Sequence, residues 1–75
     1  MSSDAPPGWE EVFDGPCVRA EVLQAVLEAN GLEPVMRQLE AVDLLPTVAF
    51  DRCRIYVTEP EATRARELLE EADRA

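Results

Sequence analysis

The segment that most constrains the fold is residues 16–30, a predicted helix on which apolar side chains cover most of the surface outside one narrow polar face. At about 100° per residue three polar positions fall together on that face, and they are Glu21, Gln24 and Glu28. Most of the rest is a wide apolar arc: Val18, Val22, Leu23, Ala25, Val26, Leu27 and Ala29. Because this arc is wider than the contact with one layer, we expect the helix to pack on a sheet and be flanked by a neighbour.

Turn and cap residues delimit this helix. Residues 14–16, Asp-Gly-Pro, predict a turn whose aspartate or glycine caps the helix and whose proline begins it. At the other end, Gly31 predicts a left-handed C-terminal cap, and Leu32 supplies the hydrophobic contact that often accompanies one.

Three short segments have the composition of strands. Trp9–Phe13 is rich in β-forming residues, and Glu33–Gln38 follows the first helix. Cys53–Val57 alternates clearly between apolar and polar side chains. A second helix then begins where Thr58 and Glu61 have the spacing of a capping box. Its apolar stripe is Ala62, Ala65, Leu68, Leu69 and Ala72.

The order of these elements predicts the fold class and the domain organisation. A chain of 75 residues has room for one domain with one core, which we place at residues 9–75 after a flexible leader at 1–8. The predicted β-α-β-β-α order is that of an α+β, ferredoxin-like two-layer plait that lacks its last strand. We expect a three-stranded antiparallel sheet, two helices on one face, and the Trp9–Phe13 strand at an open edge.

The same residues resemble a known family of small bacterial domains, the prokaryotic signal-transducing proteins, whose fold is likened to the nitrogen-regulatory PII proteins. The matching positions lie on both helices, and they are Ala20, Leu23, Leu27, Glu28, Gly31, Leu32, Ala65, Leu68 and Leu69. The resemblance covers about Trp9 to Glu71, and it departs from the family at Arg19, where the pattern has glutamate. It implies a PII-like fold and a signalling role, and it carries over no catalytic residue.

The charge of the chain limits its partners. Sixteen acidic residues against seven basic ones give a net charge of −9, which repels nucleic-acid backbones and anionic membranes. We therefore expect no nucleic-acid partner and no membrane association. All the basic residues are arginine, so Schiff-base and histidine chemistry are absent.

The two cysteines predict core packing rather than chemistry. Cys53 lies on the apolar side of its strand, and Cys17 has no histidine that could activate it. No signal peptide is recognisable, so we expect a cytoplasmic protein with both thiols free. We predict no catalytic residue, no metal ligand and no cofactor, and hence that the chain is not an enzyme.

Two surfaces are candidates for a binding function. Arg37, Arg52 and Arg54 would meet on paired strands, either as a site for a small anionic ligand or as cross-strand partners of Glu11 and other carboxylates. The other candidate is a protein-interaction surface on the outer sheet face and on the apolar linker at residues 39–51. Its residues are Trp9, Phe13, Val42, Leu44, Leu45, Phe50 and Tyr56.

These candidates support two hypotheses about function. The first is a non-catalytic regulatory or protein-interaction module that forms a homodimer or homotrimer, because so small a core leaves apolar area uncovered. The alternative is a binding module for a small anion. The linker serves either as a contact surface or as a lid on its own sheet, and the aromatic residues are either exposed or covered by that linker.

Overall fold

The computed structural model describes residues 5–39 and 52–74, which form three strands and two helices. In chain order the elements are β1 (Trp9–Pro16), α1 (Cys17–Ala29), β2 (Val35–Leu39), β3 (Arg52–Thr58) and α2 (Glu59–Arg74). The strands form one antiparallel sheet in the order β1-β3-β2. The predicted α+β class, with a three-stranded antiparallel sheet and two helices, is confirmed.

β3 is the central strand, and its side chains alternate between the two faces of the sheet. Ile55 and Val57 are fully buried and belong to the core cluster under the helices. Both helices contribute to that same cluster, so both pack on one face of the sheet. The buried members are Cys17, Ala20, Leu23, Leu27, Leu32, Cys53, Ile55, Val57, Ala62, Ala65 and Leu68. Several of these side chains are small, so the core is thin.

β1 continues beyond the predicted strand and includes the residues predicted to form a turn. Asp14, Gly15 and Pro16 lie opposite Arg54, Cys53 and Arg52 of β3, respectively. The predicted turn at 14–16 is therefore wrong, because pairing with β3 extends this segment. α1 begins only at Cys17, with Pro16 as its N-cap and no side-chain capping bond.

A β-bulge interrupts β1 between Glu11 and Phe13. The bulge adds one residue, so Val12 and Phe13 both pack against the core cluster on the helix side of the sheet. It thereby changes which face each later side chain of β1 occupies.

The predicted C-terminal cap of α1 is confirmed. Gly31 has φ of +87°, and its N–H donates to the carbonyl of Glu28 at 3.0 Å. The Leu32 N–H donates to the carbonyl of Leu27, also at 3.0 Å, and the Leu32 side chain is buried. This pair of bonds is the Schellman arrangement, which fixes where the chain leaves α1.

The N-terminus of α2 differs from its prediction. Thr58 is the last residue of β3, and Glu61 Oε1 is buried without a hydrogen-bond partner among the described residues. The predicted capping box is therefore not formed. The apolar stripe of α2 is confirmed, with Ala62, Ala65 and Leu68 buried and Leu69 and Ala72 packed against them.

Backbone bonds attach the described part of the predicted leader to the domain. The Trp9 N–H donates to the Pro6 carbonyl at 3.0 Å, which closes a turn before β1. The Gly8 carbonyl accepts from the Glu59 N–H at 2.9 Å. The chain before β1 is therefore held next to the start of α2. Within the described residues, neither helix is long and apolar enough to cross a membrane.

Candidate functional site

The first candidate is the arginine cluster on the sheet face away from the helices. Arg54 of β3 has Asp14 of β1 on one side and Arg37 of β2 on the other. Arg54 Nε lies 3.2 Å from Asp14 Oδ2 and 3.8 Å from Glu11 Oε1. Arg52 Nε donates to Asp14 Oδ1 at 2.7 Å. For Arg52 and Arg54 the structure therefore shows cross-strand ion pairing, one of the two arrangements open from the sequence.

The electrostatics of this cluster follow from those pairs. The hydrogen bond from Arg52 holds the pKa of Asp14 below its usual value. Partial burial acts in the opposite direction and raises this pKa, whereas the positive charges of Arg52 and Arg54 lower it further. The same hydrogen bond raises the pKa of Arg52. Because Asp14 and Glu11 already neutralise these two guanidinium groups, they offer little charge to an incoming anion. Arg37 is exposed and has no ion pair among the described residues.

The predicted aromatic surface is not assembled by the described residues. Trp9 and Tyr56 lie on the outer sheet face, in register with Thr58 and Glu11, respectively. Tyr56 is only 2% exposed, so it offers almost no contact area. Phe13 pairs with Ile55 and packs against the core on the opposite face. The prediction that the three aromatic residues share a face is wrong for Phe13, because the bulge intervenes.

The linker residues of the second predicted surface lie mostly outside the described residues. This applies to Val42, Leu44, Leu45 and Phe50. Leu39, predicted to begin the linker, is instead the last residue of β2. For the linker, a contact surface and a lid on its own sheet therefore both remain predictions.

Cys17 and Cys53 form a disulfide bond, with Cα atoms 4.8 Å apart. The prediction of two free thiols is wrong, although burial of both residues in the core is confirmed. The sequence places them 36 residues apart, and only the packing of the first turn of α1 on β3 brings them together. Free thiols were expected as a consequence of the predicted cytoplasmic, reducing setting, in which disulfides are rare, so this bond gives that setting no support.

A site that the sequence did not predict lies on the solvent side of α1. We call it the outer face, and it consists of Val18, Val22, Ala25 and Ala29. Val18 is 72% exposed and Val22 is 55% exposed, and both alanines are exposed as well. At helical spacing the four residues form one stripe that points away from the core. Val18 and Val22 are two of the three large apolar side chains exposed among the described residues.

The prediction that α1 packs on the sheet and is flanked by a neighbour is confirmed, since both helices contribute to one core cluster with β3. That packing does not cover the whole apolar arc of α1. In the structure only Cys17, Ala20, Leu23 and Leu27 of α1 are buried, so α2 and the sheet cover about half of the arc. The width of the apolar arc could have predicted this exposed stripe, because a sheet and one neighbouring helix cannot enclose a helix on all sides.

The two sides of the outer face differ in charge. On one side Glu21 and Glu28 are exposed and have no ion pair among the described residues, and we call them the glutamate flank. On the other side Arg19 turns toward α2, where its Nη2 donates to Asp73 Oδ1 at 3.0 Å. The apolar stripe is therefore bordered by free negative charge on one side and by a neutralised pair on the other.

A shallow groove of about 370 Å³ lies between β1, α1 and α2, and Arg19 separates it from the outer face of α1. Its floor is apolar, formed by Val12, Phe13, Leu23 and Leu69. Ion pairs cross its rim, since Arg66 binds Glu10 and Arg19 binds Asp73. These contacts hold the two helices and β1 together and leave no unpaired cation on the rim. Within the described residues, no group of three or more His, Cys, Asp or Glu side chains is arranged to hold a metal ion.

No family model, no curated protein and no solved structure matches this chain. The resemblance to the prokaryotic signal-transducing family therefore stays a prediction. The candidate site is defined by the geometry of the outer face alone.

Proposed function

We propose that this protein is a non-catalytic interaction module whose docking surface is the outer face of α1. The observation that carries the proposal is the exposure of Val18 and Val22, at 72% and 55%, on one stripe that points away from the core. Burying a valine side chain stabilises by about 1.5–3 kcal/mol, so a partner that covers this stripe gains appreciable binding energy. A catalytic role has less support, because the charged side chains nearest each other are engaged in ion pairs.

The sheet arrangement supports a ferredoxin-like plait without its last strand. β1 is at the edge of the described sheet, as such a plait requires. That edge is poorly suited to pairing with a further strand, because it has a bulge and because Arg66 Nη2 donates to the backbone carbonyl of Glu11 at 3.4 Å. We therefore assign the interaction to α1 rather than to the strand edge. In the predicted homodimer or homotrimer, a second copy of the chain would cover this same face.

Site-specific photo-crosslinking in the cells that make the protein tests the proposal. A benzophenone side chain replaces Val22, and a control variant carries it at Val35, which is 44% exposed on β2. We expect a discrete adduct from position 22, no such adduct from position 35, and loss of the adduct when Val18→Ser is added. An adduct of twice 8.3 kDa would identify a second copy of the chain. Equal labelling from the two positions would refute the proposal.

A further inference from the structure

The charge around the outer face indicates what kind of partner fits it. Glu21 and Glu28 project from the same helix, on the side away from α2, and have no ion pair among the described residues. Arg19, on the other side, is already paired with Asp73. A helix laid along Val18 and Val22 would therefore meet unpaired carboxylates along one border and no unpaired cation of α1.

We propose that the outer face of α1 binds a basic amphipathic helix of another protein, with its apolar stripe on Val18 and Val22 and its lysines or arginines against the glutamate flank. This inference rests on the proposed function and adds the chemistry of the partner. Recognition of an amphipathic helix takes its affinity from apolar residues at helical spacing and its orientation from the flanking charges. The net charge of −9 accelerates the encounter with a basic segment.

A second copy of this chain fits the same face less well. When two identical helices pack antiparallel about a twofold axis, each flank meets the same flank of the other copy. Glu21 and Glu28 would then oppose Glu21 and Glu28, and like charges brought together across an interface are destabilising. In a parallel arrangement the glutamate flank would meet the side that carries Arg19, whose charge Asp73 already neutralises. The overall charge of −9 adds repulsion between copies in either case.

The test uses the purified full chain and three synthetic peptides of about 18 residues, long enough to hold a helix. One is an amphipathic leucine–lysine helix, the second has the same composition in scrambled order, and the third replaces each lysine with glutamate. Fluorescence anisotropy measures the Kd of each at about 50 mM and about 300 mM NaCl, which separates screened from unscreened attraction. We expect the amphipathic basic peptide to bind at least about tenfold more tightly than the other two.

Matched variants assign the contacts to α1. Glu21→Gln with Glu28→Gln should weaken binding about fivefold, whereas Glu67→Gln with Glu71→Gln on exposed α2 makes the same charge change and should leave it nearly unaltered. Val18→Ser with Val22→Ser should weaken binding at least about tenfold. If circular dichroism shows a loss of helix in the serine variant, the alanine pair at both positions replaces it, because alanine favours the helix.

The outcomes separate this inference from the proposed function. Equal binding of the ordered and scrambled peptides, or equal effects of the two glutamine pairs, would mean that only net charge matters and would overturn the inference. Preference for the acidic peptide would overturn it as well. In either case an adduct confined to position 22 in the crosslinking experiment would still uphold the proposed function, whereas its absence would refute that function independently.

Discussion

Removing the Cys17–Cys53 disulfide is expected to cost this domain a large share of its stability. The bond joins residues 36 apart in sequence, and closing a loop of that size lowers the entropy of the unfolded chain. In the chain-entropy model the loss is about 13 cal/mol/K, which corresponds to about 4 kcal/mol at room temperature. A domain of 75 residues has a total stability of about 4–11 kcal/mol. Reduction should therefore leave the protein with about 0–7 kcal/mol, so that it loses between about a third and all of its stability.

Urea denaturation with and without a phosphine reductant measures this effect. We expect the midpoint to fall by about 3 M, for an m value near the lower end of the range for small proteins, and the m value to rise as the unfolded chain expands. The control is Cys17→Ala with Cys53→Ala, whose midpoint should be low and should not respond to the reductant. Equal midpoints in oxidised and reduced protein would refute the reasoning. Alkylation of both cysteines in unreduced protein would contradict the bond itself.

Three further predictions concern single residues. Because the Arg52 hydrogen bond holds the pKa of Asp14 below 3.8, Asp14→Asn should be less stable than wild type at neutral pH, and the difference should vanish as the pH falls below 3.8 through the folded-state pKa. Urea titrations across that range measure it, and a difference that persists in acid would contradict the assignment. Gly31→Ala places a β-carbon at φ of +87° and should cost about 1–2 kcal/mol; an unchanged midpoint would refute the strain. Gly15→Ala brings a β-carbon within 2.8 Å of Phe13 Cζ and should cost about 1–3 kcal/mol by thermal unfolding, partly recovered when Phe13→Leu is added.

The features that the sequence predicted well are those that depend on neighbours along the chain. The left-handed cap at Gly31 needs only a glycine and the helix before it, and the alternation of β3 needs only its own residues. The apolar stripe of α2 is likewise a local pattern of helical period. Each of these signals is complete within a few consecutive residues, so no knowledge of the tertiary structure was required.

The errors arise where residues distant in sequence decide the structure. Aspartate is a residue type that favours turns, yet ion pairs with Arg52 and Arg54 hold Asp14 in a strand. Cys17 and Cys53 become partners only when α1 packs on β3. The pattern of α1 shows how much apolar surface it has but not how much of it the rest of the chain covers, because that depends on the number and position of its neighbours.

The same long-range contacts explain how α1 can hold an exposed apolar face in a fixed position. The disulfide at Cys17 attaches the first turn of α1 to the central strand, and the Schellman bonds at Gly31 and Leu32 fix its last turn. The pair between Arg19 and Asp73 ties its side to α2. A helix held at both ends and along one side loses little further freedom when a partner binds, so more of the burial energy of its outer face appears as affinity. The crosslink and the C-terminal cap that hold α1 are therefore also the features that would prepare its outer face for the proposed docking.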